Sequence, residues 1–209
     1  ASYGVEHLKP AVAYVILTVA LLLIFLIIGY PAFIAIFAHL DPFKFAKKIT
    51  RVAVFGFSTS SSAATLPLNV KTTVEELGVD EKIASFVLPL GMTINMNGTA
   101  IMQVIATLFI AGCAGYSISF TQLVVIALLA LIASAGTPAA PGSGAIILFT
   151  ILSGLGYVND AAMLAYSLIL AINRPIEMLV TALNVVGDSA TSIYVAKSEG
   201  VLNEDVYNA

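Results

Sequence analysis

Long apolar segments alternate with short polar ones along this chain. Residues 11–38 are almost wholly apolar, and no Asp, Glu, Lys, Arg or His occurs from Ile83 to Asn159. A helix of about 20 apolar residues crosses the hydrocarbon core of a bilayer. We therefore expect an all-α membrane protein whose first transmembrane helix covers residues 11–38. A kink is expected near Pro31, because proline lacks a backbone N–H.

The next apolar segment, residues 52–70, is interrupted by the polar run Ser58-Thr59-Ser60-Ser61-Ser62. Neither half has the length that a helix needs to cross the bilayer, and the charged residues at 71–82 return the chain to water. A helix–turn–helix that enters and leaves the membrane on the same side fits this pattern better than two simple spans. We place this first re-entrant hairpin at residues 44–77.

A second re-entrant hairpin is expected at residues 118–156, where two short apolar arms flank a Gly/Pro-rich tip at 135–144. Between the hairpins, residues 83–112 are long enough to cross, but Asn95-Met96-Asn97-Gly98-Thr99 interrupts them and predicts a broken helix. Unpaired backbone at bilayer depth is costly unless it lies inside protein or beside a polar cavity. Secondary transporters build their binding sites from broken helices of this kind.

The last apolar segment, residues 161–196, is predicted to be an amphipathic transmembrane helix. At about 100° per residue, its polar residues fall on one stripe roughly 80° wide. These residues are Asn173, Glu177, Thr181, Asn184 and Asp188. A carboxylate is costly to bury in lipid, so Glu177 and Asp188 must face partners or water. The alternative is a polar face that only packs against other helices.

Charge gives this topology a direction. Charged residues are 10% of the chain, against about 25% in a soluble domain, and a net charge of −3 excludes a basic nucleic-acid-binding protein. Seven of the nine Lys and Arg residues lie at 39–51, at 71–82 or near the C-terminus, which assigns these regions to the cytoplasmic side. The two hairpins then enter from opposite sides. We expect a multi-pass protein of the inner or plasma membrane.

The polar interruptions indicate the binding of an ion and a solute. Unwound carbonyl groups beside Asn95, Asn97 and Thr99, with the charge of Asp188, suit a hard monovalent cation such as Na⁺. Helix N-termini at the hairpin tips attract an anion such as a substrate carboxylate. The alternatives are Asn residues that only cap helices and tips that are plain turns. An enzyme is not expected, because no His lies at membrane depth to act as the base of a hydrolase.

Four motifs follow one another along the chain. They are Ser-Ser-Ser-x-x-Thr-Leu-Pro at 60–67, Leu-Pro-Leu-Gly-Met-Thr-Ile-Asn-Met-Asn-Gly-Thr at 88–99, Ser-x-Gly-Thr-x-x-x-Pro-Gly-x-Gly at 134–144 and Glu-Met-x-x-Thr-x-x-Asn-Val-x-Gly-Asp at 177–188. This order resembles the dicarboxylate/amino acid:cation symporters, the glutamate transporter homologues. The resemblance implies that residues 1–209 are part of an elevator-type transport domain, that the scaffold domain is absent from this chain, and that the full-length protein is a homotrimer.

The resemblance also implies roles for individual residues. Ser61, Ser62 and Asn184 would hold the substrate's α-carboxylate, and Glu177 stands where the family has an Asp that binds the α-amino group. The expected substrate-binding residues are Ser61, Ser62, Thr99, Ala140, Gly144, Glu177, Val180, Thr181 and Asn184. One sodium site would use Gly91, Asn95, Asn184 and Asp188. A second would use carbonyl groups of Thr93, Ser134, Ala135 and Thr137.

The chain departs from the family pattern at several positions. Val180 and Ser60 occupy the two places where an Arg is found in relatives that take acidic substrates, so we expect a neutral side chain on the substrate. Asn97 replaces the Asp of the usual third sodium site, and Asn173 replaces a nearby acid. We therefore expect one or two Na⁺ ions, with the third site weakened. Arg174 is spaced to pair with Glu177 three residues on.

The leading hypothesis is a Na⁺-coupled symporter of a small, neutral, amino-acid-like solute. A proton-coupled symporter of the same family is the first alternative, because two acids have been lost and Glu177 is available to carry a proton. A channel-like solute or anion conductance is the second. The expected partners are the small-molecule substrate and the lipid bilayer, and no nucleic acid.

Overall fold

The computed structural model describes the backbone of residues 5–209 and the side chains of residues 9–209. Within this part of the chain all regular structure is helical and no strand occurs, which confirms the all-α prediction. The helices are α1 (Val5–Ile24), α2 (Tyr30–Phe33), α3 (Pro42–Thr59), α4 (Ser62–Glu75), α5 (Glu81–Ile94), α6 (Asn97–Cys113), α7 (Phe120–Ala135), α8 (Ser143–Leu155), α9 (Asp160–Ile172), α10 (Arg174–Ser198) and α11 (Glu204–Asn208).

Three stretches are long and apolar enough to cross a membrane: Lys9–Ala38, Glu81–Cys113 and Arg174–Ser198. In the first, a π-helical turn at Phe25–Gly29 joins α1 to α2, and a second π-helical turn at Ile34–Ala38 follows α2 and ends the stretch. Pro31 lies in α2 between these turns. The wider turns accommodate a residue that has no N–H to donate, so the expected disturbance near Pro31 takes this form.

The helices α3 and α4 form a helical hairpin whose tip is two serines. Ser60 ends α3 in the left-handed region, at φ 50°, and the side chain of Ser61 caps the start of α4 by accepting from the Ala64 N–H. A left-handed residue followed by an N-cap reverses the chain in the shortest distance. The result brings the end of one helix and the beginning of the next to the same point.

The helices α7 and α8 form a second hairpin with a longer tip, residues 136–142. At its base, Ser119 and Gln122 form a capping box that starts α7. At its tip, Gly142 adopts φ 84° immediately before α8, a conformation that glycine takes without strain. Between the two hairpins, α5 and α6 are separated by Asn95 and Met96, whose backbone is not helical, as the polar motif predicts.

The segment expected to be one helix over 161–196 differs in the structure. It is divided at Asn173 into α9 and α10, and Pro175 occupies the first turn of α10. Proline favours the start of a helix, where its missing N–H leaves no bond unmade. The polar stripe does not reveal this break, because its first residue, Asn173, lies at the break itself.

The helix α10 is the centre of the molecule. Every residue from Ile176 to Ala190 is buried except Met178, and the helix packs against α3, α4, α5 and α6. Near its start, Glu177 contacts the first turn of α8. Beyond its end, Tyr207 of α11 donates to the Asp41 carbonyl at the base of the first hairpin. The two hairpins therefore reach the middle of α10 from opposite ends.

Candidate functional site

The two hairpin tips meet beside the middle of α10. The Ser61 hydroxyl donates to the Ala139 carbonyl at 2.9 Å, which joins the first tip to the second. A cavity of about 30 Å³ remains between them, enough for one or two water molecules. Its walls come from both tips, the start of α6 and α10. The lining residues are Ser60, Ser62, Met96, Thr99, Met102, Thr137, Pro138, Ala139, Ala140, Gly142, Ser143, Gly144, Glu177, Val180, Thr181 and Asn184.

The first tip presents polar groups to this cavity. Ser60 is 4% exposed, and its hydroxyl has no hydrogen-bond partner among the described residues. Ser62 is also buried and lines the cavity, while Ser61 forms the tip contact. An unpaired buried hydroxyl costs about 1–3 kcal/mol. This arrangement favours a polar ligand that would supply the missing partner.

The start of α8 forms the opposite wall and is bonded to Glu177. The Ala145 N–H donates to Glu177 Oε1 at 3.1 Å, and Gln103 Nε2 donates to the Gly144 carbonyl at 3.1 Å. The other carboxylate oxygen, Oε2, lies 3.9 Å from Arg174 Nη1. A carboxylate at a helix N-terminus is stabilised by the helix dipole. Glu177 therefore presents a negative charge to the cavity from a fixed position.

Asn184 fastens the broken helix to α10. Its Oδ1 accepts from the Gly98 N–H at 2.8 Å, and its Nδ2 donates to Thr99 Oγ1 at 3.1 Å and to Met96 Sδ at 3.2 Å. The bond to sulfur is the weakest of the three, because a thioether is a poor acceptor. That donor is the one a better acceptor in the cavity would take over.

One helical turn further along α10, Asp188 lies in a second polar group. Asn95 Nδ2 donates to Asp188 Oδ1 at 2.8 Å, and Asn97 Nδ2 donates to Asn95 Oδ1 at 2.8 Å and to the Tyr30 hydroxyl at 3.1 Å. Gly91 touches this group closely, since a Cβ there would lie 2.6 Å from Asp188 Oδ1. Backbone of α5 and the carboxylate of α10 are therefore in direct contact.

The chemistry of this group suits a hard monovalent cation. Within the described residues, no three His, Cys, Asp or Glu side chains come together as a transition-metal site would require. Asp188 is 2% exposed and is the only carboxylate in the group. Oxygen ligands with one negative charge fit an ion such as Na⁺. The residues expected at the first cation site, Gly91, Asn95, Asn184 and Asp188, are thus brought together.

The residues expected at the second cation site lie at two helix ends. Thr93 is in the last turn of α5, Ser134 and Ala135 end α7, and Thr137 follows in the tip. The last carbonyl groups of a helix have no partner within it, and α5 packs against α7. The Ser134 carbonyl accepts from the Thr137 N–H at 2.9 Å. Thr93 has no hydrogen bond to the polar group around Asp188: its hydroxyl donates to the Leu90 carbonyl, within α5.

The remaining expected residues line the cavity or lie beside it. Val180 and Thr181 form part of the α10 wall, and Ala140 and Gly144 form part of the second tip. Asn173 lies outside the cavity: its Oδ1 accepts from the Tyr14 hydroxyl at 2.6 Å and its Nδ2 donates to Met102 Sδ at 3.0 Å.

Three residues that bond to the predicted site residues were not predicted from the sequence. Tyr30 contacts Asn97, Gln103 holds the Gly144 carbonyl, and Met96 Sδ accepts from Asn184. Each lies in a motif or an apolar helix, where the sequence pattern indicates only a packing role. The spacing of Gln103 four residues after Thr99, on the same face of α6, is the one signal that was available.

Comparison with known proteins places this geometry in context. A family model described as the sodium:dicarboxylate symporter family matches residues 1–198. A putative sodium-dependent excitatory amino acid transporter of Caenorhabditis elegans is 32% identical over 92% of this chain and 38% of its own length. Excitatory amino acid transporter 1 of Homo sapiens is 34% identical over 84% of this chain and 32% of its own. Excitatory amino acid transporter 2 of Homo sapiens is 36% identical over 76% and 28%. The chain spans about a third of the length of these relatives, and their names are those of transporters.

Proposed function

Because this chain, a multi-pass membrane protein, belongs to the sodium:dicarboxylate symporter family, we propose that it is part of a secondary transporter that couples Na⁺ entry to the uptake of a small amino-acid-like solute. One observation carries this proposal. Two hairpin tips and a broken helix meet at the polar stripe of α10, around a cavity that contains one carboxylate and several backbone groups. Converging helix ends of this kind bind a zwitterion and an ion in secondary transporters.

The two hairpins are proposed to be re-entrant. Three stretches in the described chain are long enough to span, whereas α7 and α8 are each shorter apolar helices. The tips of both hairpins lie beside the middle of α10, so that no arm of either hairpin reaches the far side of the molecule. We infer that these hairpins, α5–α6 and α9–α10 form one transport domain, which in the full-length homotrimer moves as an elevator against a scaffold.

The substrate's α-carboxylate is proposed to bind at the first tip and Asn184. Ser60 and Ser62 are buried and line the cavity. Asn184 Nδ2 donates a weak bond to the Met96 sulfur, which a carboxylate oxygen would replace as the acceptor. The N-terminus of α4 adds a favourable dipole. Ser61 and Thr99 would complete this subsite. Ser61 would first give up its bond to the Ala139 carbonyl, and Thr99 its bond from Asn184.

The α-ammonium group is proposed to bind Glu177. Glu177 is only 7% exposed, and it lines the cavity. Ala140 and Gly144 would close over the substrate from the second tip, and Thr181 would line the floor. A buried carboxylate that meets an ammonium recovers much of the desolvation that each group loses.

We propose that the substrate has an uncharged side chain. Among the sixteen residues that line it, none is Lys or Arg. Val180 lies where a guanidinium would be needed for a second carboxylate, and a buried unpaired carboxylate is strongly unfavourable. The names of the relatives speak of excitatory amino acids and of dicarboxylates, so an acidic substrate is the alternative that the experiment must test.

Na⁺ is proposed to bind first at Gly91, Asn95, Asn184 and Asp188, where the buried carboxylate has only an amide donor as partner. The carbonyl groups of Thr93, Ser134, Ala135 and Thr137 would form a second site when the second tip closes. Asn97 bonds to Asn95 and Tyr30 and brings no charge. We therefore propose one or two coupled ions.

The cavity of about 30 Å³ is too small for an amino acid. The tips must separate to admit the substrate, and the bond between Ser61 and Ala139 must break. Gly and Pro residues in the second tip make it the more deformable of the two.

A thermal-shift screen tests this function. Neutral and acidic amino acids and organic acids are added to the purified protein in NaCl or in choline chloride, at constant ionic strength. We expect a neutral amino acid to raise the melting temperature only in NaCl. Asp188→Asn should remove the sodium dependence, whereas Asp160→Asn, an exposed acid at the start of α9, should preserve it. Stabilisation that follows pH and ignores sodium would favour the proton-coupled alternative. Stabilisation by an acidic ligand alone would overturn the neutral assignment.

A further inference from the structure

Arg174 is a cation in an unfavourable place. It is the first residue of α10 and lies inside a long part of the chain that has few charged residues. No other Lys or Arg occurs between Lys82 and Lys197, and cations are rare at membrane depth unless they have a partner. The placement calls for a compensating interaction.

The compensating group is Glu177. Arg174 Nη1 lies 3.9 Å from Glu177 Oε2, and the side chain of Arg174 is 54% exposed against 9% for that of Glu177. The distance is within an ion pair but beyond a direct hydrogen bond. Arg174 thus approaches the buried carboxylate from the outer surface of the chain, at a distance that makes the pair a loose one.

Glu177 has one further partner. Its other oxygen accepts from the Ala145 N–H, and the remaining surface of the carboxylate faces the cavity, which carries no cationic side chain of its own. The same oxygen that faces Arg174 is the one left free for an ammonium group. An ammonium group that entered the cavity would meet the oxygen that Arg174 already approaches.

We propose that Arg174 is the resident counter-ion of Glu177 and competes with the ammonium group of the substrate, so that it sets the affinity and selectivity of the site for amines. This inference rests on the proposed function. In the empty protein the guanidinium neutralises the carboxylate. When an ammonium group enters, Arg174 turns away from the carboxylate, toward the outer side, where more than half of its side chain already lies clear of the rest of the chain. Arg174 is a specificity-determining residue that acts through Glu177.

A ligand-free experiment tests the pair itself. The melting temperature is measured for the wild type, Arg174→Gln, Glu177→Gln and the double variant. We expect Arg174→Gln to lower it by about 2–4 °C in the wild type and to change little when Glu177 is already Gln. Arg51→Gln, the same change at an exposed residue of α3, is the matched control. Equal effects of Arg174→Gln in both backgrounds overturn the inference.

A binding experiment in NaCl tests the competition. The ligands are L-alanine, L-serine and L-aspartate, with L-lactate as the analogue of alanine that lacks the amine. Arg174→Gln should tighten L-alanine or L-serine by about fivefold, the worth of a half-exposed ion pair, and leave L-lactate unchanged. No change, an equal change for alanine and lactate, or a selective loss of L-aspartate overturns the inference alone. If the wild type binds no amino acid in sodium, the proposed function fails and the competition fails with it, whereas the ligand-free cycle reports on the ion pair in either case.

Discussion

At the scale of single residues, the site depends on how closely two helices approach. Gly187 of α10 leaves room for Asn95: a Cβ at position 187 would lie 2.7 Å from Asn95 Nδ2, and it would also collide with the Tyr30 hydroxyl. Those two side chains carry the bonds that reach Asp188 and Asn97. A missing side chain is thus a requirement of the proposed cation site.

Gly187→Ala should destabilise the protein and weaken sodium binding together. The buried Tyr30 and the half-buried Asn95 that it meets are both held in a hydrogen-bonded group, so the cost should be about 1–3 kcal/mol. The matched control is Gly154→Ala in α8, where nothing lies within 4 Å of the added methyl; a better helix former there should be neutral or slightly stabilising. Melting temperatures in NaCl and in choline chloride measure both effects. Equal behaviour of the two variants would contradict the close approach.

The sequence predicted which polar residues matter more readily than it predicted what they contact. Asn95 and Asp188 were expected in one cation site, and the structure places them 2.8 Å apart. Their adjacency could be expected because each interrupts an apolar helix at a depth where unpaired polar groups are costly. Tyr30 was missed, because an aromatic residue in an apolar helix has no pattern that separates a hydrogen-bonding role from packing.

At the scale of elements, the short helix α11 holds the base of the first hairpin. Lys48 Nζ of α3 donates to the carbonyl groups of Glu76, Val206 and Tyr207 at 2.8–2.9 Å. Tyr207 is fully buried and donates to the Asp41 carbonyl at 2.7 Å. Burial raises the pKa of the Tyr207 phenol, which keeps it a donor. The end of α4, the start of α3 and α11 are therefore tied together by one lysine and one tyrosine.

Lys48→Met should loosen this base. It removes a charged donor to three carbonyl groups at helix ends, so we expect a loss of about 1–2 kcal/mol in the free energy of unfolding. Lys47→Met, at the exposed neighbouring residue, is the control and should change little. Hydrogen exchange should rise at residues 204–208 in the first variant only. Unchanged exchange there would show that α11 docks without Lys48.

The break between α9 and α10 shows a limit of sequence patterns at this scale. The polar stripe keeps its phase from Asn173 to Asp188, so one long helix accounts for it as well as two helices do. Pro175 sits where a helix tolerates proline best, and a proline in a transmembrane helix is common enough not to require a break. The packing of Tyr14 and Met102 around Asn173 depends on segments that are far apart in the sequence.

At the scale of the whole molecule, charge and architecture agree on a direction. The base of the first hairpin, the end of α10 and α11 lie together, and this end contains most of the lysines, among them Lys44, Lys47 and Lys48. At the base of the second hairpin, where Tyr116 donates to the Gly156 carbonyl, the described residues place only Lys9 nearby, since its neighbour Pro10 lines a cavity with Gly112 and Cys113. By the positive-inside rule we expect the first end to face the cytoplasm.

Labelling from one side of the membrane tests this orientation. Cys113 is first replaced by Ala, and a single cysteine is then introduced at exposed Lys47 or at exposed Ser117, between α6 and α7. A membrane-impermeant maleimide added to intact cells should label Ser117→Cys, and it should label Lys47→Cys only after the cells are opened. The reverse pattern would invert the topology. Labelling of both from outside would contradict hairpins that enter from opposite sides.

The enclosure of α10 has a consequence for protein engineering. Glu177, Val180, Thr181 and Asn184 occupy just over two turns of one helix whose far side is locked among its neighbours. All four line the cavity, but Glu177 and Asn184 also bond to neighbouring helices, so Val180 and Thr181 are the two that can be exchanged with least disturbance of the framework. A small library at Val180 and Thr181, in particular one that offers Arg or Thr in place of Val180, is therefore the economical way to change which solute the proposed site accepts.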